Sequence, residues 1–235
     1  MKCDLHCHTS YSYDSTARPE EMVEAALEKG INCLAICDHG EVKGAREAIE
    51  YAKDRPILII PGIEIKSKKG DILGLNIEKI IPNKLSAKET IKKIKELGGL
   101  AIIPHPFGWS CSFKGKLEEL VSDIDGIEVL NASIFGRGNK KALIFSQKHN
   151  LPLTAGSDAH FPNFLGRAYL EIPGDNLSLE EAVASSLASA KTSAIEEVLK
   201  AIKNKNGSIG GSEAGFIEKV VDHTKRNLAK FKNVI

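Results

Sequence analysis

Short apolar runs alternate with amphipathic stretches along the first 190 residues of the chain. The apolar runs predict strands because they are rich in Ile, Leu and Val and end in Gly, Pro, Asp or His. The amphipathic stretches repeat their apolar residues at helical spacing and predict helices. Strands are predicted over residues 2–8, 31–37, 57–65, 71–75, 99–104, 126–130, 152–155 and 168–172. Helices are predicted over residues 18–30, 41–53, 86–97, 116–122, 139–149, 179–187 and 195–203.

This alternation of strands and helices is typical of a parallel α/β sheet or barrel. About seven strand–helix units fit in the first 190 residues, whereas a barrel of eight units needs ~200 residues or more. We therefore expect a slightly short or irregular barrel, and we assign residues 1–203 to one domain. Residues 204–235 are predicted to form a linker, rich in Asn, Gly and Ser, and a C-terminal helix over residues 212–230. That helix would dock on the domain, mediate self-association or fray.

Composition and charge narrow the classes of function. The 235 residues are 42% hydrophobic and 27% charged, and the net charge of +1 gives no overall attraction to nucleic acid. No apolar run approaches the roughly 20 residues that span a bilayer, and no signal-peptide region follows Met1. We expect a cytoplasmic protein with no membrane contact and no stable protein partner. The five cysteines lack zinc-ribbon spacing and are interpreted as reduced, buried residues.

Side chains that bind metals collect at the ends of the predicted strands. Five of the seven histidines lie there, namely His6, His8, His39, His105 and His160. Glu64 ends the third predicted strand, and Asp158 lies two residues before His160. Because the C-terminal ends of parallel barrel strands meet at one rim, we expect these side chains to converge. Imidazoles and carboxylates together suit Zn, Mn or Fe.

Each of these signals has a plain structural alternative when it is taken alone. A single His-x-His pair, or a histidine between prolines such as His105, is more often structural than metal-binding. The occurrence of all of them at strand ends is what argues for a metal site. We interpret His149, near a helix end, as structural, and His223, in the predicted terminal helix, as incidental.

Taken in chain order, these residues resemble the PHP family, the polymerase and histidinol phosphatase domain, over about residues 1–190. The matching segments are residues 4–9, 12–14, 37–40, 62–64, 101–106 and 156–160. Any one segment is weak evidence, but together they are specific. The resemblance implies a distorted (β/α)7 barrel, here with a C-terminal helical extension.

The resemblance also implies a site for two or three divalent metal ions. The ligands implied for the first ion are His6, His8, Glu64 and Asp158. Glu64 would bridge to a second ion, whose other ligands are His105 and a residue of the following strand. Glu128 and Asn131 are both candidates for that last position. The ligands implied for a third ion are Asp14, His39 and His160.

We therefore expect a metal-dependent phosphoesterase, either a phosphatase or an exonuclease, in which a metal-bridging hydroxide attacks phosphorus. The leaving oxygen would take a proton from His160, from Asp14 or from a metal-bound water. The arginines that are candidates for holding phosphate are Arg167, Arg137 and Arg18.

The expected substrate is a phosphorylated small molecule such as histidinol phosphate, a nucleotide or a short oligonucleotide. The segment after Asp14 favours the nucleotide branch. Two other classes of protein fit less well. A non-catalytic PHP-like binding or assembly subunit should have lost metal ligands and carry a basic surface, and a metal-dependent amidohydrolase should carry a carboxylated lysine at a strand end.

Overall fold

The computed structural model describes residues 1–109, 112–173, 181 and 188–232. The described strands form one sheet: β1 (Lys2–Cys7), β2 (Cys33–Ile36), β3 (Leu58–Lys66), β4 (Asp71–Leu75), β5 (Leu100–Ile103), β6 (Gly126–Asn131), β7 (Leu153–Gly156), β8 (Ala168–Glu171) and β9 (Ser208–Gly211). The described helices are α1 (Pro19–Glu28), α2 (Lys43–Tyr51), α3 (Ala87–Glu96), α4 (Gly138–His149), α5 (Ala188–Lys203) and α6 (Phe216–Lys232). The helix predicted over residues 179–187 lies, apart from residue 181, outside the described residues.

The strand order in the sheet is β7-β6-β5-β4-β3-β2-β1-β8-β9, and the strand directions are mixed. β1, β2 and β3 are parallel, as are β5, β6 and β7. β4 runs antiparallel to both of its neighbours, and β8 runs antiparallel to β1. The prediction of a parallel sheet is therefore wrong for β4 and β8. The chain between β3 and β4 is a turn over residues 67–70, which is too short for the crossover that parallel strands require.

The sheet curls into a nearly closed barrel because the end of β7 returns to β1. The backbone N–H of Asp158 donates to the carbonyl of His6 at 2.8 Å. The N–H of His8 donates to the carbonyl of Ala159, also at 2.8 Å. The predicted barrel-like α/β fold is confirmed. Closure of the barrel places β1, which carries the first predicted ligand, beside the loop after β7, which carries the last ones.

The C-terminal segment differs from the predicted linker and helix in two ways. Part of the linker is strand β9, which pairs antiparallel with β8 from Ala168 opposite Gly211 to Glu171 opposite Ser208. The final helix begins at Phe216 rather than at residue 212, and the Glu218 carboxylate accepts from the N–H of Gly215 at 2.9 Å. The helix docks against the barrel, because Arg226 and Asp222 on it are buried. None of the described helices is long and apolar enough to cross a membrane.

Candidate metal centre

The side chains predicted from the strand ends converge at one rim of the barrel. β1 and the residues after it supply His6 and His8, β3 supplies Glu64, and the loop after β7 supplies Asp158 and His160. All five are buried. Glu64, Asp158 and His160 line a cavity of about 390 Å³ that opens to solvent, and His6 and His8 lie within 3.8 Å of Glu64 and Asp158. Residues that can bind metal and that are distant in the sequence thus lie together at one pocket.

The first cluster contains the four ligands implied for one ion. The Nε2 atoms of His6 and His8 lie 3.1 Å apart. Asp158 Oδ1 is 3.4 Å from Nε2 of His8 and 3.8 Å from Nε2 of His6. Glu64 Oε2 is 3.4 Å and 3.6 Å from the same two nitrogens. The ligand atoms of His6, His8 and Asp158 are close enough together to bind one ion.

Glu64 lies between this cluster and a second one. Its Oε1 atom is 3.2 Å from Nε2 of His105, while its Oε2 atom faces His6 and His8. His6, Glu64 and His105 form another group whose ligand atoms would fit one ion. A carboxylate whose two oxygens face different histidines has the arrangement that a bridging ligand requires.

Asp14, His39 and His160 form the third cluster. Asp14 Oδ1 is 3.4 Å from Nε2 of His39 and 3.2 Å from Nε2 of His160. Asp14 Oδ1 and His160 Nε2 are buried and face each other, yet neither makes a hydrogen bond of good geometry. Buried polar atoms are rarely left without a partner, so this pair suits a bound cation. All the residues predicted as metal ligands are therefore brought together, and their donor set fits divalent ions.

Glu128 and Asn131, both considered for the second ion, are engaged in other contacts. Glu128 Oε1 is 3.1 Å from Nδ1 of His6, and Oε2 accepts from the N–H of His105 and from the Asn131 amide. A carboxylate that holds the second nitrogen of a histidine orients the first nitrogen toward a metal. The geometry supports this role for Glu128, because both of its oxygens already accept hydrogen bonds or face His6.

Backbone strain accompanies two of the site residues. His105 has φ of 29° and Asp158 has φ of 53°, values that side-chain-bearing residues seldom adopt. Each backbone is held in place by a hydrogen bond: the N–H of His105 donates to Glu128, and the N–H of Asp158 donates to the carbonyl of His6. Strain of this kind is maintained by its surroundings and is common at functional sites.

Helix α6 contributes a buried arginine that the sequence patterns did not single out. The Arg226 side chain is only 10% exposed, and its Nη1 atom lies 3.5 Å from Asp158 Oδ1. Asp222, His223, Asn227 and Lys230 on the same helix also line the cavity. His223, which was interpreted from the sequence as incidental, therefore lies at the cavity. The sequence feature that could have indicated this role is the polar face of the terminal helix, but the sequence does not show where that helix docks.

The arginines proposed to hold phosphate lie elsewhere. Arg167 pairs with Glu218 on α6, with Nη1 and Oε2 3.0 Å apart. Arg18 pairs with Glu21 at 3.4 Å, and Arg137 is exposed just before α4. Among the described residues that line the cavity, none of these three arginines is present. Their proposed contact with phosphate is not supported by these positions, because their partners hold two of them outside the cavity.

Metal binding is expected to strengthen as the pH rises. Burial lowers the pKa of His39, but the carboxylates of Glu64 and Asp14 raise it to about 10. Without an ion His39 therefore carries a proton at neutral pH, and that proton must leave before the nitrogen can bind metal. Each proton released makes the apparent affinity rise about tenfold per pH unit. Chelator-competition titrations with Mn²⁺ at pH 6.5 and 7.5 test this, and equal affinities would contradict it.

Comparison with known proteins gives the family of the chain. The PHP domain model matches residues 4–209. Two Methanocaldococcus jannaschii proteins of uncharacterised function are similar: MJ1587 is 41% identical over 143 residues, covering 56% of this chain and 82% of that protein, and MJ0417 is 31% identical over 252 aligned residues, covering 97% and 99%. A 5'-3' exoribonuclease from Haemophilus influenzae is 38% identical over 99 residues, which cover 40% of this chain and 36% of the enzyme.

A solved structure agrees at the level of the fold. It is a two-domain protein from Bacteroides vulgatus described as containing a predicted PHP-like metal-dependent phosphoesterase. The TM-score is 0.68 at 18% identity, and the match covers 96% of this chain and 69% of the other. The family model covers far more than half of the sequence, and the barrel and the clustered ligands agree with it. The chain belongs to the PHP domain family.

Proposed function

We propose that this protein is a metal-dependent phosphoesterase that hydrolyses phosphate monoesters or nucleotide phosphoesters. The observation that carries the proposal is the position of Glu64, whose two oxygens face three overlapping groups of histidines and carboxylates. Such a set suits two or three divalent ions held close together. Zn, Mn and Fe all accept mixed imidazole and carboxylate ligands, and the ion used in the cell depends on availability.

The residues that would hold the ions are His6, His8, Asp14, His39, Glu64, His105, Asp158 and His160. Divalent ions bound there would supply a hydroxide nucleophile at neutral pH and neutralise charge on the phosphoryl oxygens. Asp14 and His160 lie 3.2 Å apart at the cavity wall, and one of them would donate a proton to the leaving oxygen only where the third site holds no ion, because a metal-bound ligand atom carries no proton. This role requires that one of the two face the departing group when substrate is bound.

Aromatic side chains at the cavity favour a nucleotide substrate within this class. Tyr13 is half-exposed and stacks on His39 with ring centroids 4.8 Å apart. Trp109, also at the cavity, is 89% exposed. Exposed rings beside a phosphate-binding site offer stacking surfaces for a base, worth about 1–3 kcal/mol per base. Similarity to an exoribonuclease points in the same direction, with short oligonucleotides as a second candidate substrate.

A substrate panel tests the proposal. The Mn²⁺-loaded protein would be assayed on p-nitrophenyl phosphate, histidinol phosphate, nucleoside 3′,5′-bisphosphates and short single-stranded oligonucleotides. We expect hydrolysis that stops on addition of EDTA and returns with Mn²⁺, and a higher kcat/KM for nucleotides than for p-nitrophenyl phosphate. A preference for histidinol phosphate would favour the alternative phosphatase. No hydrolysis of any ester by the metal-loaded protein would support a non-catalytic binding subunit.

A further inference from the structure

One face of α6 forms a wall of the cavity. The residues on that face are Asp222, His223, Arg226, Asn227 and Lys230, which recur at helical spacing. The helix spans Phe216–Lys232 and so lies beyond residues 4–209, the part that matches the family model. Whatever α6 adds to the site is therefore not assigned by family membership.

Arg226 is the cation on this face that lies closest to the predicted metal ligands. Its Nη2 atom donates to the carbonyl of Asp158 at 2.6 Å and to Ser133 Oγ at 2.8 Å. Its Nε atom lies 2.6 Å from the Asp222 carboxylate. These contacts fix the plane and the direction of the guanidinium, so that it is pre-organised before any substrate arrives.

The remaining nitrogen, Nη1, is only weakly engaged. Its one contact among the described residues is Asp158 Oδ1 at 3.5 Å, at the limit of a hydrogen bond. A guanidinium has five N–H donors, two of them on Nη1. Asp158 Oδ1 is also the atom that faces His6 and His8, so Nη1 points toward the predicted metal ligands.

The charge of Arg226 also needs an explanation. Burying a guanidinium costs free energy unless it is paired with an anion. The Asp222 carboxylate already supplies that pairing, so charge compensation alone does not require Arg226 to approach the predicted metal ligands. A guanidinium N–H donates a strong, charge-assisted hydrogen bond to a phosphoryl oxygen, and Nη1 is the nitrogen that remains available for it. A dianionic phosphate entering the cavity would meet Nη1 at its edge.

We propose that Arg226 of the C-terminal helix binds the phosphoryl group of the substrate, which makes α6 part of the substrate site. The inference rests on the proposed function. From the sequence, Arg167 was a candidate for this contact with phosphate, but its guanidinium is paired with Glu218 outside the cavity. In this role Arg226 is a substrate-binding residue that would neutralise charge on a phosphoryl oxygen.

The test is the binding of inorganic phosphate to the full-length, Mn²⁺-reconstituted protein by isothermal titration calorimetry, with metal content measured in parallel. Arg226→Gln is expected to weaken phosphate binding about tenfold to hundredfold at unchanged metal content, because a charge-assisted contact is lost. Arg226→Lys keeps the charge but loses the planar guanidinium that Asp222 and the Asp158 carbonyl hold in place, and its phosphate affinity should lie between those of wild type and Arg226→Gln. With a phosphoester substrate, KM should rise more than kcat falls.

Glu218→Gln is the matched control, because it breaks the Arg167–Glu218 ion pair that anchors the same helix but lies outside the cavity. Because an exposed ion pair contributes little free energy, this variant should bind phosphate within about twofold of wild type. Wild-type phosphate affinity in Arg226→Gln would overturn the inference, as would loss of metal from both Arg226 variants, which would make the arginine a support for Asp158. An inactive wild type with Arg226-dependent phosphate binding would overturn the proposed function alone.

Discussion

Replacing Glu64 with glutamine should remove both the metal ions and the phosphoesterase activity. Glu64 Oε2 lies within 3.0–3.6 Å of His6, His8 and His39, and Oε1 lies 3.2 Å from His105. Glutamine keeps the shape but not the charge, so no residue would bridge the clusters. We expect kcat/KM to fall about a thousandfold or more, because bound metals supply several kcal/mol of transition-state stabilisation. Steady-state kinetics and metal analysis of the purified variant measure both effects.

Glu118→Gln is the control for this experiment. Glu118 lies exposed in a short 3-10 helix over Leu117–Leu120, away from the cavity. The same chemical change there should alter neither metal content nor kcat/KM. Circular dichroism should show that both variants are folded. A folded Glu64→Gln protein with wild-type metal content and activity would remove Glu64 from the metal centre.

Asp4→Ala should destabilise the fold strongly, because it removes a buried acceptor of backbone hydrogen bonds. Asp4 is fully buried, and its carboxylate accepts from the N–H groups of Ser157 at 2.9 Å and Gly166 at 2.8 Å. It also accepts from the N–H of His6 at 3.4 Å. Alanine would leave these buried donors without a partner, at a cost of about 3 kcal/mol. Thermal denaturation at pH 7.5 should show a Tm lower by about 6–12 °C.

The pH matters for this measurement, because burial raises the pKa of Asp4 to about 6. At pH 7.5 the carboxylate is ionised and accepts all three bonds. Asp54→Ala is the control, since Asp54 is exposed and its loss should leave Tm nearly unchanged. Asp4→Asn should recover part of the loss, because one amide oxygen can still accept. Equal Tm values for Asp4→Ala and wild type would show that this carboxylate does not hold β1 to the loop after β7.

The histidines of the site were predictable because their positions follow from local pattern. A strand such as β1 places His6 and His8 on one face by its period of two, and barrel closure brings them to Asp158 and His160. Asp4 accepts from the backbone N–H of Ser157, next to Asp158, and so positions the loop that carries two predicted ligands.

The contribution of α6 was not predictable from the same patterns. The amphipathic stretch indicated a helix, but docking against the rim depends on contacts between segments 68 residues apart, such as Arg226 and Asp158. The antiparallel course of β4 and β8 was missed for a related reason. Apolar runs look alike in either direction, and only the length of the connections distinguishes them.

The metal-to-protein ratio of His8→Ala and Asp158→Ala, measured beside wild type by inductively coupled plasma mass spectrometry, tests the central claim most directly. Both side chains are buried and lie 3.4 Å apart in the first cluster. We predict that wild type holds two or three divalent ions per chain, and that each variant loses at least one of them together with most of the phosphoesterase activity. Full metal content and full activity in both variants would contradict the assignment of the metal centre.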